Sequence, residues 1–306
     1  MQEIRDSLEA LSLGAPQAHR NLALYPLLGE RDEPAAYLLL DEALEKKLAR
    51  VTEVSAGGSV PELAFENGSA EKILLVDGDE LVGAKQNRVI NLSILVAEGK
   101  RIVIPVSCVE QGRWSYRSRD FAPAKRALFA KARAKKIAAV SFSLRERGTR
   151  GSDQSEVWND IEAKMASLDA HSATGAMGDA YESRAGDLDA YAQAFRPQAR
   201  QRGAVVAVDG KVVGLEVFDS AAVFAKYHEK MVRSYALDAI ETANGKTLAP
   251  PEEEVRRFLE KMKAAAAERF AALGEGEDLR LSGEGIAGGA LAAGGRVVHL
   301  AGYAVR

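Results

Sequence analysis

The chain has 306 residues, 47% hydrophobic and 28% charged, which allows a sizeable core and excludes a disordered or fibrous protein. The formal net charge of -3 selects no partner by itself, because a near-neutral sum can hide polarised segments. One cysteine excludes an internal disulfide framework. Four scattered histidines, His19, His171, His228 and His299, lack the close spacing of a zinc site, so no metal is expected.

In chain order, MQEIRDSLEALSLG mixes charges into its first turns and lacks the apolar core of a signal peptide. No later run approaches the ~20 apolar residues that span a bilayer, so a cytoplasmic protein is expected. From Asn21 to Trp114 short apolar runs (NLALYPLL, AYLLL, VPELAF, KILLV, VINLSILVA, KRIVIPVSCV) alternate with turn signals at ENGSA, DGDE and AEGK. That spacing predicts antiparallel strands in a sandwich or partly closed barrel. One helical insert, DEALEKKLAR, takes Asp41 as its N-cap.

After Phe121 the period becomes helical. PAKRALFAKARAKKIAAV predicts a helix with Pro123 in its first turn, and SDQSEVWNDIEAKMASL places Val157, Trp158, Ile161, Met165 and Leu168 on one stripe. GDLDAYAQAF predicts a third helix, stopping before Pro197. In GAVVAVDGKVVGLEVF, Asp209-Gly210 signals a two-residue hairpin. Asp219 or Ser220 then caps a long helix that should end near Asn244-Gly245. PPEEEVRRFLEKMKAAAAERFAAL predicts a helix with Val255, Phe258, Leu259, Met262, Ala266 and Phe270 on its apolar face, and glycine-punctuated strands close the chain. The expectation is an α+β fold: a β-rich part over about 20–120, a helical part over about 121–200 and a mixed part over about 201–306. With β structure at both ends, these form one interleaved domain, 1–306.

Strand parity puts Ile102, Ile104, Val106 and Cys108 on one face, which favours a core thiol over a reactive one. Glu110, at the end of that strand, has to be solvated, paired or functional, with Arg113 near enough to pair with it across a turn at Gly112. A surface ion pair and a site role are equally open there. Trp114 either covers a core edge or stacks on a planar ligand. In GAKQNRVIN, Gln86, Asn87 and Arg88 offer bidentate groups at the mouth of a strand; they suit an anion or a base edge, and equally suit bracing a turn.

Between Arg113 and Arg150 lie twelve Lys or Arg residues against only Asp120 and Glu146. This segregation favours an anionic ligand, a nucleotide or a nucleic acid near the segment, with the arginines that flank the helix as the better site candidates. A solvated helix face is the plain reading for Lys125, Arg126, Lys135 and Lys136. No helix-turn-helix, zinc-finger or RNP-like pattern supports nucleic-acid binding, and no P-loop or dinucleotide fingerprint is present.

The motifs LLVDGDELVGAKQNRVINLSILV, IPVSCVEQGRW, SDQSEVW, HSATGAM, GKVVGLEVFDS, SYALDAI and RVVHLAGY, in order along nearly the whole chain, resemble a bacterial family. It is named for association with ADP-ribosylglycohydrolases and rhodanese-phosphatases. The resemblance implies a link to ADP-ribose and NAD metabolism by association and carries over no catalytic mechanism. Its polar positions here are Gln86, Asn87, Arg88, Glu110, Arg113, Gln154, Ser172, Thr174, Ser234 and His299. His299 shares a strand face with Val297 and Tyr303, where a core histidine is the plainer reading.

Two functions lead from the sequence, with nucleic-acid binding through the basic segment a weaker third. In the first, the protein binds or acts on a phosphorylated, nucleotide-like small molecule: Arg88 and Arg113 hold the anion, Gln86 and Asn87 orient polar edges, Trp114 stacks, His299 contributes a contact, and Glu110 is the acid or base if chemistry occurs. In the second, a non-catalytic module uses the basic segment 113–150 to meet an acidic protein. Neither selects a cofactor.

Overall fold

The computed structural model of the chain describes residues 2–30, 34–243 and 249–305. Two compact units result: unit 1 comprises Met1–Ala35, Gly186–Ala272 and Gly276–Arg306, and unit 2 comprises Ala36–Ala185 and Leu273–Glu275. The fold is α+β, with antiparallel pairing everywhere except between two strands of unit 2. No helix among the described residues is long and apolar enough to cross a membrane.

Unit 1 opens with α1 (Gln2–Glu9), β1 (Leu11–Leu13), β2 (Gln17–His19) and β3 (Leu22–Gly29). Unit 2 follows with β4 (Tyr37–Leu39), α2 (Leu40–Glu45), β5 (Ala49–Glu53), β6 (Glu62–Asn67), β7 (Lys72–Leu75), β8 (Asp79–Gly83), β9 (Arg88–Ile90), β10 (Ile94–Val96), β11 (Arg101–Cys108) and β12 (Phe121–Ala127). Its helices are α3 (Ala130–Arg147), α4 (Gln154–Ser167) and α5 (Met177–Ser183). Back in unit 1 come α6 (Ala185–Ala194), β13 (Gln201–Val208), β14 (Lys211–Phe218), α7 (Ala221–Thr242), α8 (Glu252–Ala264), β15 (Ala266–Ala271), β16 (Glu277–Gly283), β17 (Ile286–Ala293) and β18 (Arg296–Ala304).

Unit 1 is a nine-stranded sheet in the order β1-β3-β13-β14-β18-β17-β16-β15, with β2 beside β3. Parity on β14 divides its faces. Leu215 and Val217 join Val255, Phe258 and Met262 of α8 and Ile4 and Leu8 of α1 in one core. Phe218 instead meets Phe224 and Tyr227 of α7. The predicted hairpin is present, Asp209 and Gly210 both lying at positive φ (51° and 70°), as a type I′ turn requires.

On α7, His228 is buried against Phe224, and its Nε2 has no hydrogen-bond partner among the described residues. Burial first, with Arg196 acting in the same sense, lowers its pKa to about 4 from 6.5. The native state therefore resists a proton that the unfolded chain accepts. Stability is fully present above pH 6.5 and falls as pH drops from about 6.5 towards 4, by about 3 kcal/mol in all. Chemical unfolding of His228→Leu at pH 7 and pH 4.5 is expected to remove most of that slope; an unchanged slope would place the sensitivity elsewhere.

In unit 2, a sheet ordered β12-β8-β9-β11-β6-β5 curls until its edges meet, Thr52 of β5 bridging Asp120 just ahead of β12. This is a partly closed barrel. Its interior holds Val51, Leu63, Phe65, Leu81, Ile90, Ile104, Val106 and Phe121. A smaller sheet, β10-β7-β4, pairs β4 with β7 in parallel.

Four expectations need correction. The segment from Pro123 to Ala127 is strand, not the first turns of a helix: β12 pairs with β8 across a register shift that contains Lys125 at φ 56°, and the helix starts only at Ala130. Ladder pairing outweighs the helix propensity of PAKRA there. The helix begun at Glu252 ends at Ala264, and Ala266 and Phe270 lie on β15, paired with β16. Asp41 sits in the first turn of α2, whose N-cap is Leu39. Arg126 and Lys136 are not solvated: Arg126 pairs with the fully buried Glu80 at 2.5 Å, and Lys136 pairs with Asp77 while donating to the carbonyls of Ile90 and Asn91 at 3.0 Å. The acidic turn DGDE is buried, so the basic segment must neutralise it. The expected helix end at Asn244-Gly245 falls outside the described residues.

Candidate functional site

The strand β11 delivers Cys108 into the barrel wall and leaves Glu110 just past its end. Cys108 is buried and donates to Gln86 Oε1 at 3.2 Å. Burial pushes its thiol pKa up, against the opposing influence of the Glu110 N–H and the Arg88 charge. The reactive thiolate is thus disfavoured. Gln154, at the start of α4, continues the ladder with its amide, donating to Cys108 O at 2.9 Å and accepting its N–H at 2.8 Å.

Glu110 has no solvent exposure. One oxygen accepts from Arg113 Nη2 at 2.6 Å and from the Asn87 N–H at 3.1 Å; the other accepts from Thr174 Oγ1 at 2.9 Å. Burial is the largest influence and acts to raise its pKa, yet these three donors together hold it below the ordinary carboxylate range. The two terminal nitrogens of Arg113 also donate to the carbonyls of Ala84 (2.7 Å), Ser115 (2.8 Å) and Gly83 (3.2 Å) and to Asn87 Oδ1 (3.1 Å), while Arg113 Nε has no hydrogen-bond partner among the described residues. Gln86 donates to Glu110 O at 2.9 Å. Five of the residues selected from sequence, Gln86, Asn87, Arg88, Glu110 and Arg113, therefore meet in one knot and bond largely to one another.

Arg88 is the least satisfied member. It is fully buried, donates to the carbonyls of Val60 (3.2 Å) and Asn87 (3.3 Å), and leaves Nη2 without a partner among the described residues. Burial lowers its pKa, while Cys108 and Glu53 oppose that change. Its guanidinium lies 5.6 Å from the Trp114 ring, and Lys85 Nζ lies 5.2 Å from the rings of both Trp114 and Tyr116. Both aromatic residues are about half exposed. His299 belongs to unit 1, where it is buried on β18 with its ring 4.6 Å from that of Phe218.

The barrel seam joins two arginines of the basic segment, Arg117 and Arg119, to residues the sequence did not single out. A cleft of about 680 Å³ is lined by Arg50, Thr52 and Glu53 of β5, the Ser55–Ala56 turn, Arg101 of β11, and Tyr116, Arg117, Ser118 and Arg119 from the segment ahead of β12. Arg50 is tied to Asp120 at 2.8 Å, whereas Arg101, Arg117 and Arg119 make no ion pair among the described residues. These cationic side chains come from distant parts of the sequence, and only barrel closure collects them. A second cavity, about 370 Å³, lies between α4 and the 170–175 segment, with Gln111, Trp158, Ile161, Met165, His171 and Ser172 in its wall. No His, Cys, Asp and Glu cluster able to hold a metal ion occurs among the described residues.

No curated protein and no solved structure matches the chain. A family model does, over residues 10–303, almost all of both units. The chain belongs to the family of the ARG and Rhodanese-Phosphatase-superfamily-associated Protein domain.

Proposed function

We propose that unit 2 binds a phosphorylated, nucleotide-like small molecule in the seam cleft. The observation that carries this reading is the gathering of four arginines, three of them without an ion pair among the described residues, around one cleft in a protein of net charge -3. Guanidinium groups held together repel one another, and a phosphate relieves that repulsion while accepting bidentate hydrogen bonds. The cleft volume falls within the ordinary range for small-molecule sites. Tyr116 in the wall and Trp114 beside it offer faces for a planar ring. The family name, with its ADP-ribosylglycohydrolase association, supports ADP-ribose or an NAD-derived compound as the first ligand to try.

In this reading Glu110 is a brace. A buried carboxylate already saturated by three donors and held ionised is a poor proton donor, and its work is to fix Arg113 and the chain that leads to the cleft. Gln86, Asn87 and Arg88 complete that frame.

The test is a thermal-shift series with ADP-ribose, NAD, nucleotides and sugar phosphates on the wild type and on Arg117→Ala/Arg119→Ala. Both arginines are exposed, so the unliganded variant should melt within about 0.5 kcal/mol of the wild type. A ligand at 100 times its dissociation constant adds about 2.7 kcal/mol to the wild type, and that gain should vanish in the variant. If no small anion shifts the wild type but an acidic polypeptide binds it and loses the variant, the segment is an interaction surface instead.

A further inference from the structure

Among the described residues, Glu53 is the only carboxylate that lines the arginine cleft. It is 8% exposed, its Oε1 accepts the Lys85 N–H at a long 3.3 Å, and its Oε2 has no hydrogen-bond partner among the described residues. A buried carboxylate oxygen without a donor is costly to keep. Against a bare anion it is doubly unfavourable, because its charge repels what the arginines attract. The arrangement suits a molecule with two kinds of group: a phosphate for the guanidinium groups, and a hydroxyl that can donate to the carboxylate.

We propose that Glu53 is the specificity residue of this cleft, selecting hydroxyl-bearing phosphates of the ribonucleotide or sugar-phosphate class over bare inorganic anions. The inference rests on the reading of the cleft as an anion site. Gly58, at φ 76°, covers Oε2: a Cβ placed there would stand 3.2 Å from that oxygen. A ligand hydroxyl therefore reaches Glu53 by displacing the short turn from Ser55 to Gly58. The competing role for Glu53 is to balance the charge of Arg88, which concerns the fold alone and is blind to hydroxyl groups on a ligand.

Calorimetric titration of the full chain separates the two. The probes are ADP, its 2′,3′-dideoxy analogue, which lacks only the ribose hydroxyls, and inorganic pyrophosphate. The wild type should prefer ADP to the dideoxy analogue by about 10- to 100-fold, the size of a charge-assisted hydrogen bond. Glu53→Gln should reduce that preference to about threefold or less, with pyrophosphate binding unchanged or tighter. Glu53→Asp, which keeps the charge but withdraws the oxygens, should also lose the preference, and it serves if the glutamine variant does not fold.

Equal binding of the two nucleotides by the wild type overturns the proposal, as does a preference that survives both substitutions. If pyrophosphate binding depends on Arg117 and Arg119 while the Glu53 substitutions change nothing, the cleft stands as an anion site and this inference alone falls. If none of the three probes binds the wild type, both fall.

Discussion

Replacing Arg113 with methionine is expected to lower stability by about 3–5 kcal/mol, because it strands the Glu110 carboxylate in a site without solvent. Two donors would remain on Glu110, the Asn87 N–H and the Thr174 hydroxyl, too few to replace water around a full charge. Four further hydrogen bonds go with the guanidinium, to three carbonyls and one amide oxygen. Urea unfolding followed by tryptophan fluorescence measures this directly, since Trp114 and Trp158, the two tryptophans of the chain, both belong to unit 2. The double replacement Glu110→Gln/Arg113→Met should cost clearly less than the two single losses added, because each partner's removal accounts for much of the other's penalty. A single-variant loss below about 1 kcal/mol would mean that the pair is exposed and the brace reading wrong.

A second large effect should come from Lys136→Met, again about 3–5 kcal/mol. The substitution removes the cation from Asp77 and the donors from Ile90 and Asn91 at the foot of the barrel. Its neighbour gives the control. Lys135 is partly exposed and pairs with Asp160 at 2.5 Å, so Lys135→Ala should cost less than about 1 kcal/mol despite the short contact. Adjacent lysines on one helix would then differ severalfold in the same unfolding assay. Similar costs for both would show that Asp77 is reached by water and that the buried acidic turn does not depend on its cation.

Local geometry made part of the fold legible. Asp209-Gly210 specifies a turn that few other dipeptides adopt, and the alternation of β11 placed Cys108, Val106 and Ile104 indoors, where the structure has them. The pairing of Glu110 with Arg113 also followed from three-residue spacing, although their burial did not. Where propensity and pairing disagree, the sequence misleads: PAKRA has helical composition yet forms β12, because β8 supplies a ladder partner some forty residues earlier. Basic residues in a run look solvated when the acids that bury them, Asp77 and Glu80, lie far away in sequence.

The cleft was illegible for the same reason. Arg50 and Arg117 are neighbours only because β5 closes on the approach to β12, and Glu53 in VTE reads as the polar half of an ordinary alternating strand. A partly closed barrel converts separated polar positions into a site, and the turn spacing that suggests such a barrel does not say which residues meet at its seam.

The division of the chain also dictates an order of assembly. Strand β3 finds its partner β13 only after the whole of 36–185 has been made, with Tyr25 opposite Val205, 180 positions later. During synthesis the first strands of unit 1 must wait with an unpaired edge while the barrel strands of unit 2, all close in sequence, already have their partners. Strands β16, β17 and β18, which extend the sheet beyond β14, arrive last of all. A ribosome-bound chain halted near residue 200 should therefore carry a protease-resistant barrel beside an N-terminal segment that is still open to cleavage.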